Sequence, residues 1–288
     1  MRFASLVLIA TCATASCGGG HGGGEGPPDG PDGSQWPIVP LAAATDLVVV
    51  AHAGDDLRYM QPDLGDAVVA GGGVTVVYVT DGFTEGSYTD PDTSHSGVKA
   101  AYAFLAGSPG ATWSCGAVVL GTQHAEHCRL DAAKLSLVFL GYPIGGADGA
   151  AANSLLHLWE AKVTSVTNTA AVLQPTYSQV SLIATLAAAI DATMPGTVRT
   201  LEIAATHGAE HSDHMLVGAL ALLATAASSS SPQLAAYRGD NIAGEPVNAD
   251  ADTAGRTSEA YGYYAACATG CAACGTACTT DKLTATDA

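Results

Sequence analysis

Leu47–Asp56 reads LVVVAHAGDD. A mainly β-branched apolar run ends abruptly in one histidine and two adjacent carboxylates. Such a run is a buried strand whose C-terminal end delivers polar side chains to a crevice. In open α/β sheets, ligands sit outside those strand ends. His52 and Asp55, three positions apart, need one distant partner to complete a metal site, and His211-Ser212-Asp213-His214 supplies it. His52, Asp55 and His214 make a His2Asp set that leaves a coordination position for water, as catalytic zinc sites do. Zinc held this way acidifies its water and polarises a carbonyl. Taken singly, His52 also fits a hydrogen-bonded core histidine, and His211 and His214 fit polar residues at a helix start.

Outward from that stretch, Thr45–Ala51 is the first strand, followed by a loop and helix over Leu57–Ala70. Val74–Thr80 (VTVVYVT) is a second strand ending in Asp81-Gly82, and Phe83–Ser96 is a long loop before a helix over Gly97–Leu105. Ala117–Gly121 is a short strand, and Ser136–Leu140 a stronger one leading into the Gly-rich loop Gly141–Gly149. Ala151–Trp159 is a short helix, and Pro175 opens a longer one to Asp191 with Leu182, Ile183, Leu186 and Ile190 on one side. Val198–Ala204 is the next strand, and the apolar helix Met215–Ala227 follows HSDH directly. Strands alternating with helices at this interval specify an α/β fold: a Rossmann-like, mostly parallel sheet with helices on both faces.

Of 288 residues, 27 are Asp or Glu and 10 Lys or Arg, a net charge of -17. That surface repels phosphate backbones, so nucleic acid is not an expected partner. Arg2, the apolar run Phe3–Ala10 and small residues up to Cys17 form a secretory signal over residues 1–17, so the chain is expected to be exported. Cys17-Gly18 fits a lipoprotein processing site and a lipid anchor, with plain cleavage near Ala15 the alternative. Residues 18–38 are a Gly/Pro-rich tether, residues 40–240 the main domain and residues 241–288 an Ala/Gly/Cys-rich extension low in large apolar residues. Beyond Cys17, Cys115, Cys128, Cys267, Cys271, Cys274 and Cys278 are an even set, which in an exported chain favours disulfides. Cys115 with Cys128 would close a local loop; the four tail cysteines would make two bridges or, alternatively, a metal knot.

The motifs resemble those of the LmbE-like / PIG-L zinc deacetylase family, whose signature is Ala-His-Pro-Asp-Asp after the first strand and His-Pro-Asp-His late in the domain. Asp55-Asp56-Leu57-Arg58-Tyr59-Met60-Gln61-Pro62-Asp63-Leu64 is similar to the continuation in its exported branch, and Thr80-Asp81-Gly82 to its Thr-x-Gly. Gly97-Val98-Lys99-Ala100-Ala101-Tyr102 resembles its next helix. The resemblance implies zinc on His52, Asp55 and His214. It makes His211 the catalytic histidine that stabilises the oxyanion, with Asp213 orienting it. It also implies hydrolysis of an N-acetylated sugar or related amide at a zinc-activated water.

Two positions depart from the family. Gly54 stands where the family has its general-base Asp, and Ser94-His95 where it has Arg-Glu. A rearranged enzyme would recruit Asp56, His95 or His211 as base. Otherwise the chain is a catalytically impaired carbohydrate-binding protein or a structural envelope protein. The loops Phe83–Ser96 and Gly141–Gly149 would set substrate choice, with Tyr59, Tyr88 and Tyr142 available either for sugar stacking or for packing.

Overall fold

The computed structural model describes residues 36–268 apart from 82, 85–86, 89–90, 169–170 and 172. The expected signal segment, Cys17 and residues 18–35 of the tether therefore lie outside the described residues, as do Cys271, Cys274 and Cys278.

The elements run β1 (Asp46–Val50), α1 (Asp55–Tyr59), α2 (Asp63–Ala70), β2 (Val74–Asp81), β3 (Phe83–Thr84), β4 (Ser87–Tyr88), α3 (Pro91–Leu105), β5 (Ser114–Leu120) and β6 (Gln123–Leu130). They continue with β7 (Leu135–Pro143), α4 (Leu155–Trp159), β8 (Val166–Thr167), β9 (Thr176–Tyr177), α5 (Gln179–Thr193), β10 (Thr197–Leu201), α6 (Ser212–Ala227), β11 (Gln233–Tyr237) and α7 (Ala251–Ala268). Seven strands form one sheet in the order β11-β10-β1-β2-β7-β6-β5. β11, β10, β1, β2 and β7 are parallel, whereas β6 pairs antiparallel with β7, and the edge strand β5 antiparallel with β6. The fold is the expected mostly parallel α/β sheet.

Side-chain alternation along β1 explains the layering. Leu47 and Val49 pack with Leu182, Leu186 and Ile190 of α5 and Val217 and Leu220 of α6. Val48 and Val50 face the opposite way, onto Leu57, Leu64, Val98 and Tyr102 from α1, α2 and α3. A strand buried on both faces has no polar side to show, which is why LVVV is continuous rather than alternating.

Several boundaries differ from the sequence reading, each for a local reason. Asp55 and Asp56 are the first turn of α1, not a strand end; two carboxylates suit a helix N-terminus. α3 starts at Pro91, six residues before Gly97, since proline at a first helical position gives up no hydrogen bond. α5 starts after Ser178, whose capping box with Ser181 sets the boundary, while Pro175 precedes the short strand β9. The extension is not merely a wrap: α7 is an 18-residue helix packed on α3, with Tyr263 stacked on Phe104 at 4.6 Å. Cys115 and Cys128 face each other across β5 and β6 and are joined by a disulfide. Among the described residues, no helix is long and apolar enough to cross a membrane.

Candidate metal centre

β1 ends at Val50, and the chain turns through His52, Ala53 and Gly54 into α1. Gly54 has φ +100°, a left-handed conformation that side chains other than glycine rarely adopt. This turn is self-clamped. The His52 N–H donates to Asp55 Oδ2 at 2.7 Å, and the Asp55 N–H donates to the His52 carbonyl at 3.2 Å. His214 arrives from the first turn of α6, the helix that follows β10, and β10 lies beside β1 in the sheet.

Three ligand atoms converge there. His52 Nδ1 lies 3.2 Å from His214 Nε2 and 3.2 Å from Asp55 Oδ2, and His214 Nε2 lies 3.3 Å from the same carboxylate oxygen. Ligand atoms around a tetrahedral zinc, each about 2.0–2.1 Å from the ion, stand roughly 3.3 Å apart. The triangle fits that ion's dimensions, and both His52 and His214 present a nitrogen rather than a ring face. Without an ion the same closeness is electrostatic. Burial pulls both imidazoles down, but the Asp55 charge and nearby carboxylate hydrogen bonds outweigh it, raising His52 to about 9 and His214 to about 10. Burial acts against the Asp55 carboxylate, yet the two histidines hold it well below the usual range.

A second ring of partners orients the triangle. His214 Nδ1 sits 2.7 Å from Glu210 Oε1, which also accepts the N–H groups of His211 (2.9 Å) and Asp240 (3.2 Å). That partner keeps the His214 proton on Nδ1 and leaves Nε2 free to ligate. The chain makes room for it with Gly239, where a Cβ would come within 2.7 Å of Glu210 and 2.8 Å of His214. Glu210 was missed in the sequence reading, although a carboxylate four residues before a candidate ligand at a helix start is a visible pattern.

Asp213 also differs from expectation. Its carboxylate accepts the Gly145 N–H at 2.8 Å and faces His52 Nε2 at 3.5 Å, so it orients His52, not His211. Only its backbone serves His211, donating N–H to His211 Nδ1 at 3.1 Å to cap α6. The Gly141–Gly149 loop thus reaches the site through Gly145. The His211 ring lies edge-on to His52, with centroids 4.6 Å apart, and its pKa is lowered by burial and by the charges of His52 and His214. His52, His211 and His214 each bring a ring nitrogen within 4.8 Å of the others, and a second grouping of Glu210, His214 and Asp240 shares His214, with Glu210 already committed to the hydrogen bonds above.

The base candidates do not reach the triangle equally. Asp56 is fully buried and points inward, its Oδ2 accepting from Tyr78 Oη at 3.0 Å and from Tyr102 Oη. Burial pushes it up to about 6 against those two hydrogen bonds. It is a core carboxylate, and the expectation of a catalytic Asp56 is corrected: the helical turn that aims Asp55 at the triangle turns its neighbour away. His95 is held between Asp81 Oδ1 and Glu126 Oε2, 3.2 Å from each, and stacks on Phe139. His211 alone of the three adjoins the triangle. At position 54 a Cβ would lie 2.8 Å from the ring of Tyr264 in α7, whose hydroxyl donates to the Ala53 carbonyl at 2.7 Å.

Tyr142 is fully buried and donates to the Ser154 carbonyl, so it packs rather than stacks on a ligand. Tyr59 is buried, bonded to Asp240 and edge-on to His214. The Tyr88 side chain and that of Cys267, in the last turn of α7, lie outside what is described.

No family model and no curated protein matches the chain. Among solved structures it is similar to the conserved protein TT1542 from Thermus thermophilus, at 16% identity over 77% of this chain and 78% of that one, with a TM-score of 0.46.

Proposed function

We propose that this protein is a zinc-dependent hydrolase that removes an acyl group from an N-acetylated sugar or related amide, in the manner of the LmbE-like / PIG-L deacetylases its motifs resemble. The observation that carries the reading is the convergence of His52 Nδ1, Asp55 Oδ2 and His214 Nε2 at 3.2–3.3 Å, with Glu210 behind one histidine and Asp213 behind the other. A zinc ion held there would polarise a carbonyl and acidify water. The chain's own residues supply the rest. Glu210 holds the proton of His214 on its outward nitrogen, and the Asp213 carboxylate faces the outward nitrogen of His52. His211 accepts the Asp213 N–H at Nδ1, so in its neutral form the proton sits on Nε2. From Nε2 it can hydrogen-bond the oxygen of the scissile carbonyl as negative charge develops there.

A second reading, metal-dependent glycan binding without turnover, is favoured by position 54. Gly54 offers no carboxylate, and Tyr264 fills the space beside it. One experiment separates the two. Purified full chain is analysed for bound metal, stripped, reloaded with zinc and assayed for acetate release from N-acetylglucosamine derivatives. The hydrolase reading expects zinc-dependent release, and loss of both release and zinc in Asp55→Ala. Zinc and glycan retention without acetate release supports the binding reading. Failure of the wild type to bind zinc defeats both.

A further inference from the structure

The turn that carries two of the three triangle residues is held from outside, by a helix 211 residues away in sequence. Tyr264 of α7 donates its hydroxyl to the Ala53 carbonyl at 2.7 Å, and its ring covers the face of Gly54. The peptide between those residues is the one that sets the left-handed Gly54, and Gly54 in turn starts α1 by accepting the Arg58 N–H at 3.1 Å. Rotating that peptide would swing Asp55 off His52, because the two are clamped only through their own backbone and the Asp55 carboxylate.

Tyr264 is itself well anchored. Its helix neighbour Tyr263 stacks on Phe104, Tyr261 lies against it at 5.4 Å, and Ala260 and Ala266 are fully buried. Burial first, and then the charges of Tyr261, Asp55 and Asp56, push the phenol up beyond the ordinary tyrosine range. It remains a hydrogen-bond donor and does not serve as a base.

We infer that Tyr264 is a positioning residue for the metal site: α7 forms one wall of the centre, and the Tyr264–Gly54 pair fixes the turn that aims Asp55. The glycine and the tyrosine are mutually required, since any side chain at 54 meets the ring and any small residue at 264 frees the turn. The metal half of this inference rests on the zinc reading; the positioning half does not.

The test uses the full chain as wild type, Tyr264→Ala, Tyr264→Phe and Tyr263→Ala. Zinc affinity is measured by competition with a chromophoric chelator, and amide hydrogen exchange over residues 50–60 is followed in metal-free protein. Tyr264→Ala should weaken zinc by about 10–100-fold, the usual cost of losing an outer partner, and speed exchange at His52–Asp55. Tyr264→Phe should give a smaller change of the same sign. Tyr263→Ala should lower the melting temperature by loosening α7 on α3 while moving both site readouts less than Tyr264→Ala does. Unaltered affinity and exchange in Tyr264→Ala, or equal changes in Tyr263→Ala, overturn the inference. Should Tyr264→Ala not fold, Tyr264→Phe against Tyr263→Ala decides it. Should the wild type bind no zinc, the metal reading falls separately, and the exchange comparison still decides whether Tyr264 holds the turn.

Discussion

Half-buried His52 and buried His95 both lie beside carboxylates near the C-terminal ends of the neighbouring strands β1 and β2, yet they are wired differently. His52 follows β1, and Asp81, which holds His95, is the last residue of the adjacent parallel strand β2. Around His52 the ligand atoms converge, three within 3.3 Å of one another, so that one ion can touch all of them. Around His95, among the described residues, no second histidine shares the carboxylates: Asp81 meets Nε2 and Glu126 meets Nδ1 of the one ring. A metal needs lone pairs aimed at one point, whereas an imidazolium needs acceptors on both nitrogens. Similar residue types therefore build a candidate metal cradle in one place and a buried ion triad in the other. What decides between them is that His214 brings a second imidazole nitrogen to the same Asp55 oxygen.

The sharpest way to break this comparison is to remove the imidazolium. Burial acts against the charge on His95, but the Asp81 and Glu126 hydrogen bonds and charges raise it to about 9. His95→Leu takes the cation from between two carboxylates and should cost about 3–5 kcal/mol of folding stability, the scale for breaking a buried pair. Zinc affinity should stay at the wild-type value. Chemical denaturation beside a zinc titration checks both, and a drop in affinity without a loss of stability would make His95 part of the metal centre.

Next in size is Glu210→Gln. Glu210 is to His214 what Asp81 is to His95, an acceptor on one ring nitrogen, but here the other nitrogen is committed to the triangle. The glutamine keeps the shape and one acceptor while losing the charge, so zinc affinity should fall by about tenfold, toward the low end for outer partners. The matching change in the other cluster, Glu126→Gln, should leave zinc binding alone. Equal responses from the two would mean the clusters are electrostatically one site.

The two clusters were unequally legible. LVVVAHAGDD and HSDH each put their polar residues within a few positions of a strong apolar element, so His52, Asp55 and His214 could be read locally. Asp81, His95 and Glu126 sit on three separate elements, and β6, which carries Glu126, reads QHAEHCRL, too polar to stand out as a strand. Its pairing between β5 and β7 makes it one. β11 (QLAAY) was hidden likewise by a mostly exposed edge position. α7 carries its packing in tyrosines and alanines, a pattern without the large aliphatic residues that mark a core helix, so Tyr264 had no local sign at all. Local sequence reveals residues that an element delivers; it does not reveal partners supplied by tertiary packing.

A further contrast treats the clusters as proton sites. In metal-free protein His52, His95 and His214 all have folded-state values raised to about 9 or 10 from 6.5. Raised histidines contribute stability that is fully present below pH 6.5 and is lost as pH climbs through 9 to 10. Metal-free protein should therefore weaken across that window. On the proposed zinc reading, the metal should reverse the sign for the triangle alone, because ligation requires its nitrogens deprotonated and the stabilisation by zinc grows as protons stop competing. The His95 contribution keeps its original sign in both forms. His95→Leu should then remove about 1–3 kcal/mol of alkaline decline from the zinc-loaded protein, one pKa unit being worth about 1.4 kcal/mol. In the metal-free variant, the decline owed to His52 and His214 should remain. Denaturation curves at pH 6, 8 and 10, with and without zinc, give the four slopes. A His95→Leu variant with an unchanged slope in the zinc form would show that His95 is neutral in the folded protein, and the contrast between cradle and ion triad would lose its electrostatic half.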